Sequence, residues 1–285
     1  LDKFTFWIVL QLSKLPLRIL YIFSDILYFA NAIFIGYRKN TVTENLIKSF
    51  PNKNKKEIIK IRRNFFHNFF DYIIETLKAF SISESKLKVR VQHVNQHIFH
   101  ECHKEEKDII FLSGHVFNWE WMSALATILP HKKCHPVYKK INSKFWNDKI
   151  KFMRNRFGND SIESESIIRE ILKNKDKGNN AYMFIADQTP PHNRIHYSLK
   201  FLNQETPVFI GYDKLSTKKD LAFVYCDMKK IKRGFYQINY YRILPENEKF
   251  TNYEIVNKFY SLLENTIKNN PDNWLWSHKR WKFNN

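Results

Sequence analysis

The sequence predicts an α/β protein with a central, mostly parallel sheet flanked by helices, and an N-terminal helix that associates with a membrane. Three observations lead there. Short apolar runs such as "DIIFLSG" (108–114) and "AYMFIADQTPP" (181–191) alternate with segments of helical periodicity through the middle of the chain. "DLAFVYCDM" (220–228) and "GFYQINYYRIL" (234–244) are strand-like and joined by a short basic turn, the pattern of an antiparallel pair. Residues 15–35 read "LPLRILYIFSDILYFANAIFI", long enough to span a bilayer as a helix.

The N-terminal stretch is not clean, because Arg18 and Asp25 lie inside it. They are seven residues apart and share one helical face, while the other faces are almost wholly apolar. A membrane helix whose polar stripe packs on protein, a helix lying in the interface and a buried core helix all fit. Tyr37, Arg38 and Lys39 follow, then Lys48, Lys53, Lys55 and Lys56, and basic flanks of this kind mark a cytoplasmic side. The simplest organisation is an anchoring segment over 1–40 and one catalytic domain over 41–285.

From Asn54 to Phe80, apolar residues at helical spacing (Ile58, Ile61, Phe65, Phe69, Ile73, Leu77) predict a long amphipathic helix. The run 108–114 reads as a buried strand, and "WEWMSALATIL" (119–129) as a helix ended by Pro130. "CHPVYKK" is a second strand, and residues 143–157 form a helix stopped by Gly158. Another helix runs near 163–173, a strand over 181–191 breaks at a double proline, and a last helix covers about 252–268.

The net charge of +19, from 47 Lys and Arg against 28 Asp and Glu, calls for an anionic partner. With 25 Phe, 14 Tyr and 7 Trp, the chain is too aromatic for a disordered basic tail. Six glycines argue against a glycine-rich nucleotide cradle, and no nucleic-acid-binding signature is present. Cys102, Cys134 and Cys226 are scattered, which suggests a reducing compartment with no disulfide frame and no zinc knuckle; no Cys/His/Asp cluster has ligand spacing, so neither a metal nor a cofactor is expected.

The stretch "FLSGHVFNWEWMSALA" (111–126) places His115 just past a buried strand and Glu120 five residues later. A histidine with a carboxylate at that spacing is weak on its own, since roughly one such pair is expected by chance. Two others, His100 with Glu105 and His103 with Asp108, lie in a polar stretch. Only His115 sits at the carboxyl end of a strand, where α/β sheets collect ligands. Five residues on a straight helix are about 140° apart. The two side chains therefore meet only if His115 lies in the turn before the helix, which Ser113 and Gly114 permit and Asn118 caps. An imidazole can take a proton from a hydroxyl, with a carboxylate on its other nitrogen fixing the tautomer. No serine elbow is present, so that hydroxyl belongs to the substrate and the reaction is direct acyl transfer. A histidine satisfied by hydrogen bonds at a strand end fits the same residues.

At these residues the chain resembles the bacterial lipid A biosynthesis (lauroyl/myristoyl) acyltransferases, within the wider H-x4-D/E glycerolipid acyltransferase group. The likeness runs over nearly the whole chain. "YRKNTVTENLIKSFP" (37–51) is similar to the segment after the family's N-terminal helix, and "GHVFNWEW" resembles its catalytic block. "VYKKINSKFWNDKIKFMRNRFG" (137–158), "ADQTP" (186–190), "FLNQETPVFIG" (201–211) and "WLWSHKRWK" (274–282) resemble later blocks in order. The resemblance implies an acyl carrier protein thioester as donor and a lipid A precursor as acceptor, at the cytoplasmic face of the inner membrane. It implies His115 as general base, Glu120 as its partner, and Arg156 and Asp187 lining the substrate site, with Asn118 beside them. A lysophospholipid or aminolipid remains an alternative acceptor. On spacing alone Arg156 is equally a surface arginine and Asp187 a turn cap. Trp274, Trp276 and Trp281 among basic residues resemble an interfacial belt, with core packing as the alternative.

Overall fold

The computed structural model describes residues 1–283. Two helices, α1 (Asp2–Lys14) and α2 (Leu17–Ala30), open the chain, and a π-helical turn extends α2 to Ile35. After α3 (Lys39–Ser49), the long helix α4 (Lys55–Ala79) begins at an Asn54 capping box that Glu57 completes. Next come α5 (Glu84–Arg90), β1 (Val91–His93), α6 (His97–Lys104) and β2 (Asp108–Ser113). A 3₁₀ helix over Trp119–Thr127 leads to β3 (Lys133–Tyr138), α7 (Lys144–Asn155), β4 (Ile162–Glu163), α8 (Ile167–Lys173) and β5 (Asn180–Ile185). The chain continues through the hairpin of β6 (Ser198–Phe201) and β7 (Gln204–Pro207), then β8 (Leu221–Lys232), β9 (Phe235–Ile243) and α9 (Glu254–Asn269).

The main sheet has seven strands in the order β1-β9-β8-β2-β5-β3-β4. β8, β2, β5, β3 and β4 run parallel, and β8 and β9 form the expected antiparallel pair. All six residues of β2 are buried, as expected of a strand covered on both faces. Trp274, Trp276 and Trp281 are 2 %, 0 % and 7 % exposed, so core packing, not a surface belt, describes them. Their indole N–H groups are spent inside the protein, on Asp187, Pro271 O and Thr206 Oγ1. The three cysteines are free and buried.

The buried stripe of α4 departs from the predicted one after Phe65. It continues through Phe66, Phe70 and Ile74, leaving Ile73 38 % exposed. Steps of four residues advance about 400°, so an i+4 series drifts off the core face. Polar residues also lie on that face: Asp71 and Glu75 are both 0 % exposed and Lys78 is 9 %. α1 and α2 supply their partners. Lys78 Nζ donates to the carbonyls of Ser13 and Leu15, Ser24 Oγ to Asp71, and Tyr21 OH to Glu75. Arg233 from the β8–β9 turn bridges Asp71 and Asp25. The acidic half of the polar stripe thus packs on protein, whereas Arg18 stays exposed. The opposite side of the Leu17–Ile35 helix is open, with Ile22 at 59 % and Phe34 at 82 % exposure. By length and composition this helix is a candidate membrane span.

Candidate active site

β2 and β5 are neighbouring parallel strands in which Ser113 faces Ile185. Each chain then runs on past the carboxyl edge, β2 to His115 and β5 to Asp187. The carboxylate oxygens of Asp187 accept from His115 Nδ1 at 2.5 Å and from the His115 backbone N–H at 2.9 Å. Trp274 Nε1 donates a third bond at 2.6 Å. Gly114 makes this approach feasible, since a Cβ there would lie 2.6 Å from Leu263 Cδ1 and 3.1 Å from Asp187 Oδ2. The C-terminal segment clamps the turn from outside: Leu275 N–H donates to His115 O, and Phe117 N–H to Asn273 O.

Burial acts to raise the Asp187 carboxyl. The His115 ring, with the hydrogen bonds from His115 and Trp274, overcomes that and holds it at about 2. An ionised Asp187 has only acceptors, so Nδ1 of the neutral ring carries its proton and Nε2 keeps its lone pair. Nε2 receives the Gln188 amide at 3.1 Å. Trp119 packs edge-on against the ring, centroids 4.8 Å apart.

Glu120 does not hold the imidazole. It lines the same cavity as His115, but its carboxylate takes a two-pronged pair from Arg154, Nε to Oε2 at 2.9 Å and Nη2 to Oε1 at 2.5 Å. Burial raises the Glu120 carboxyl, yet the Arg154 charge and bonds leave it below its ordinary value. The expected His115–Glu120 contact is replaced because the sheet brings Asp187 to Nδ1 first, while the 3₁₀ helix turns Glu120 towards α7.

Arg156 is likewise not among the residues lining the cavity. Its guanidinium donates to Ala79 O at 2.5 Å and Ile82 O at 2.9 Å, the free carbonyls where α4 ends. Residues two apart on a helix project about 160° from one another. Arg154 therefore faces the cavity and Arg156 the opposite side; the sequence holds both, and only the helix phase separates them. Asn118 is 0 % exposed and buried in the turn. It caps the 3₁₀ helix by accepting from Glu120 N–H, as expected, and donates to Glu75 Oε2. Tyr236 OH and Tyr21 OH also donate to Glu75, at 2.6 and 2.7 Å. Burial pushes the Glu75 carboxyl up against these bonds.

The other histidine–carboxylate pairs do not meet. His103 Nδ1 bonds Gly178 O, Asp108 pairs with Lys219, and Glu105 pairs with Arg242. Among the described residues, no group of three or more His, Cys, Asp or Glu side chains is arranged to hold a metal ion.

The cavity has a volume of about 660 Å³. Pro136, Val137, Ile167, Met183, Phe184 and Phe209 supply apolar walls, and Lys139, Arg154, Arg194 and Lys282 contribute cations. Such a space suits an apolar chain attached to an anionic group, with the histidine Nε2 at its wall. No individually curated protein matches the chain. The family model for bacterial lipid A biosynthesis acyltransferases matches residues 2–283. That match runs over almost the whole length, and the chain belongs to the bacterial lipid A biosynthesis acyltransferase family.

Proposed function

We propose that this acyltransferase moves a fatty acyl chain from an acyl carrier protein thioester to a hydroxyl of a lipid A precursor, at the cytoplasmic face of the inner membrane. The observation that carries the mechanism is His115, its Nδ1 held by Asp187 and its Nε2 directed at the cavity. The acceptor hydroxyl displaces the Gln188 amide and donates to Nε2. As its oxygen attacks the thioester carbonyl, the proton passes to Nε2 and Asp187 stabilises the imidazolium. The tetrahedral oxyanion collapses, the carbon–sulfur bond breaks, and the departing sulfur takes the proton from Nε2. Ester and free thiol result, with no other reactant.

Arg154 brings charge to the same cavity. Two of its N–H groups are committed to Glu120, and the remainder suit a phosphate or the developing oxyanion. Glu120 thereby acts through Arg154, while Asp187 acts through His115. Lys139, Arg194 and Lys282 favour an anionic lipid and an acidic carrier protein, in keeping with the net charge of +19. Residues 1–40 serve as the membrane anchor of the catalytic remainder.

Mass spectrometry of lipid A from a host strain lacking the protein tests the acceptor. One missing secondary acyl chain, restored by the parent and not by His115→Ala, is the expected result. Unchanged lipid A alongside altered aminolipids or lysophospholipids would reassign the acceptor.

A further inference from the structure

On the outer side of α4, Lys56, Lys60, Arg63 and His67 follow one another at steps of four, three and four residues, which stacks them on one face. Lys56, Lys60 and Arg63 are exposed, and among the described residues their side chains have no ion-pair or hydrogen-bond partner. By contrast, Lys230 and Arg233 pair with Asp71, and Lys53 with Glu57. Like charges so spaced repel one another unless an anion lies between them.

The face is concave. Tyr28 of α2 forms one wall, its ring 5.5 Å from that of His67, and with Ile59 and Asn64 the groove encloses about 400 Å³. His67 is held at one end by Asp25 at 3.2 Å and Asp71 at 3.6 Å. The groove shares no lining residue with the catalytic cavity.

Its position identifies the occupant. The residue after Tyr28, Phe29, is 59 % exposed, and the next turn leaves Ile33, Phe34 and Ile35 at 68 %, 82 % and 68 %. Apolar surface for hydrocarbon thus continues directly into a cluster of cations, the order met on going from acyl chains to headgroups. A nucleic acid or an acidic protein in the groove would leave the adjoining apolar turn in water. We propose that Lys56, Lys60, Arg63 and the Tyr28 wall bind the phosphate-bearing headgroup of an anionic membrane phospholipid, separately from the lipid acylated in the catalytic cavity. The site needs the apolar helix to meet a bilayer and is independent of the acyl-transfer reading.

The test is co-sedimentation of the full chain with phosphatidylcholine vesicles, with and without phosphatidylglycerol, at low salt. Simultaneous Lys56→Ala, Lys60→Ala and Arg63→Ala is expected to weaken binding to the anionic vesicles about 100-fold. Arg63→Ala alone, the fallback if the triple variant folds poorly, should weaken it about fivefold. Binding to pure phosphatidylcholine should match the parent in both. Lys173→Ala with Lys175→Ala and Lys177→Ala removes the same charge from another exposed region and should leave anionic binding within about threefold. An equal loss in that control would mean net charge alone is read, and overturns the proposal, as does an unchanged triple variant. Inorganic phosphate should not raise the melting temperature of the parent. A rise that the triple variant lacks would make free phosphate the occupant and overturn the lipid. A higher KM for the carrier-protein thioester in detergent, with vesicle binding intact, would make the groove a protein dock and likewise overturn it.

Discussion

His115 and Asp187 stand at the same offset, two residues beyond the facing pair Ser113 and Ile185 on adjacent parallel strands. Because the offset is shared, imidazole and carboxylate leave the sheet side by side and meet at 2.5 Å. Replacing Asp187 by Asn presents an amide to Nδ1 and favours the wrong tautomer. Acyl transfer at saturating donor should fall ~10²–10⁴-fold, the usual worth of general-base catalysis. His115→Ala should fall as far, and the double variant little further, because the pair acts as a unit. His103→Ala should keep the parental rate. A full rate in Asp187→Asn would remove the carboxylate from the mechanism.

The same pair sets a pH dependence of stability. Asp187 titrates at about 2 in the folded protein against 3.8 for the unperturbed group. A depressed carboxylate contributes stability that is present above pH 3.8 and lost as the pH falls towards 2. The contribution is on the order of 2 kcal/mol. Asp187→Asn should flatten the acid limb of a urea-stability profile across that window, measured against the parent.

Arg154 and Arg156 should separate activity from stability. Arg154→Ala frees the buried Glu120 carboxylate and strips charge from the cavity, so transfer should fall at least tenfold. Arg156→Ala removes charged donors from two carbonyls at the end of α4, and should cost about 1–3 kcal/mol in denaturant unfolding. Its rate per folded molecule should stay within about threefold of the parent. The reverse pattern would place Arg156 at the substrate.

Glu75 joins three elements through Tyr21, Asn118 and Tyr236. Burial raises its carboxyl, so its contribution to stability is fully present below the ordinary value of 4.5 and declines as the pH rises through the folded pKa. Glu75→Gln keeps most of the bonds without a charge to bury. It should be no less stable than the parent at pH 8 and less favoured at pH 4. Glu75→Ala should lose about 3 kcal/mol at both, through unsatisfied partners. Comparing urea midpoints of the two variants at the two pH values decides it.

Removing residues 1–36 should cause aggregation rather than yield a clean soluble domain. The deletion uncovers the buried face of α4, removes the carbonyls that hold Lys78, and takes one hydrogen-bond donor each from Asp71 and Glu75. The full chain should pellet with membranes and need detergent for extraction. A monodisperse truncated protein with a parental melting temperature would show that α1 and α2 are dispensable for folding.

Much of the architecture was readable in order along the chain. The strands 108–114 and 220–244, the helix from Asn54 and the Gly158 stop all rest on local chemistry: apolar runs, apolar residues at helical spacing, a glycine at φ +86°. The short strands β1, β4, β6 and β7 carry too few residues for a periodic signal and form through distant partners. The polar face of α4 was hidden for a related reason, since Asp71 and Glu75 look solvent-facing until Ser24, Tyr21 and Arg233 are brought to them.

By itself, the sequence determined the fold class, the family and the place of His115 just past a strand end, because each depends on residues close together in the chain. Partner choice within the site was decided only by the tertiary structure. Glu120 is five residues from His115 and Asp187 is 72, yet strand register sets Asp187 on Nδ1, and the 3₁₀ turn gives Glu120 to Arg154. Arg154 and Arg156 differ only in helix phase, which becomes meaningful once α7 has packed. Side-chain direction is fixed by what an element packs against, and that information lies in sheet order and helix rotation rather than in spacing along the chain.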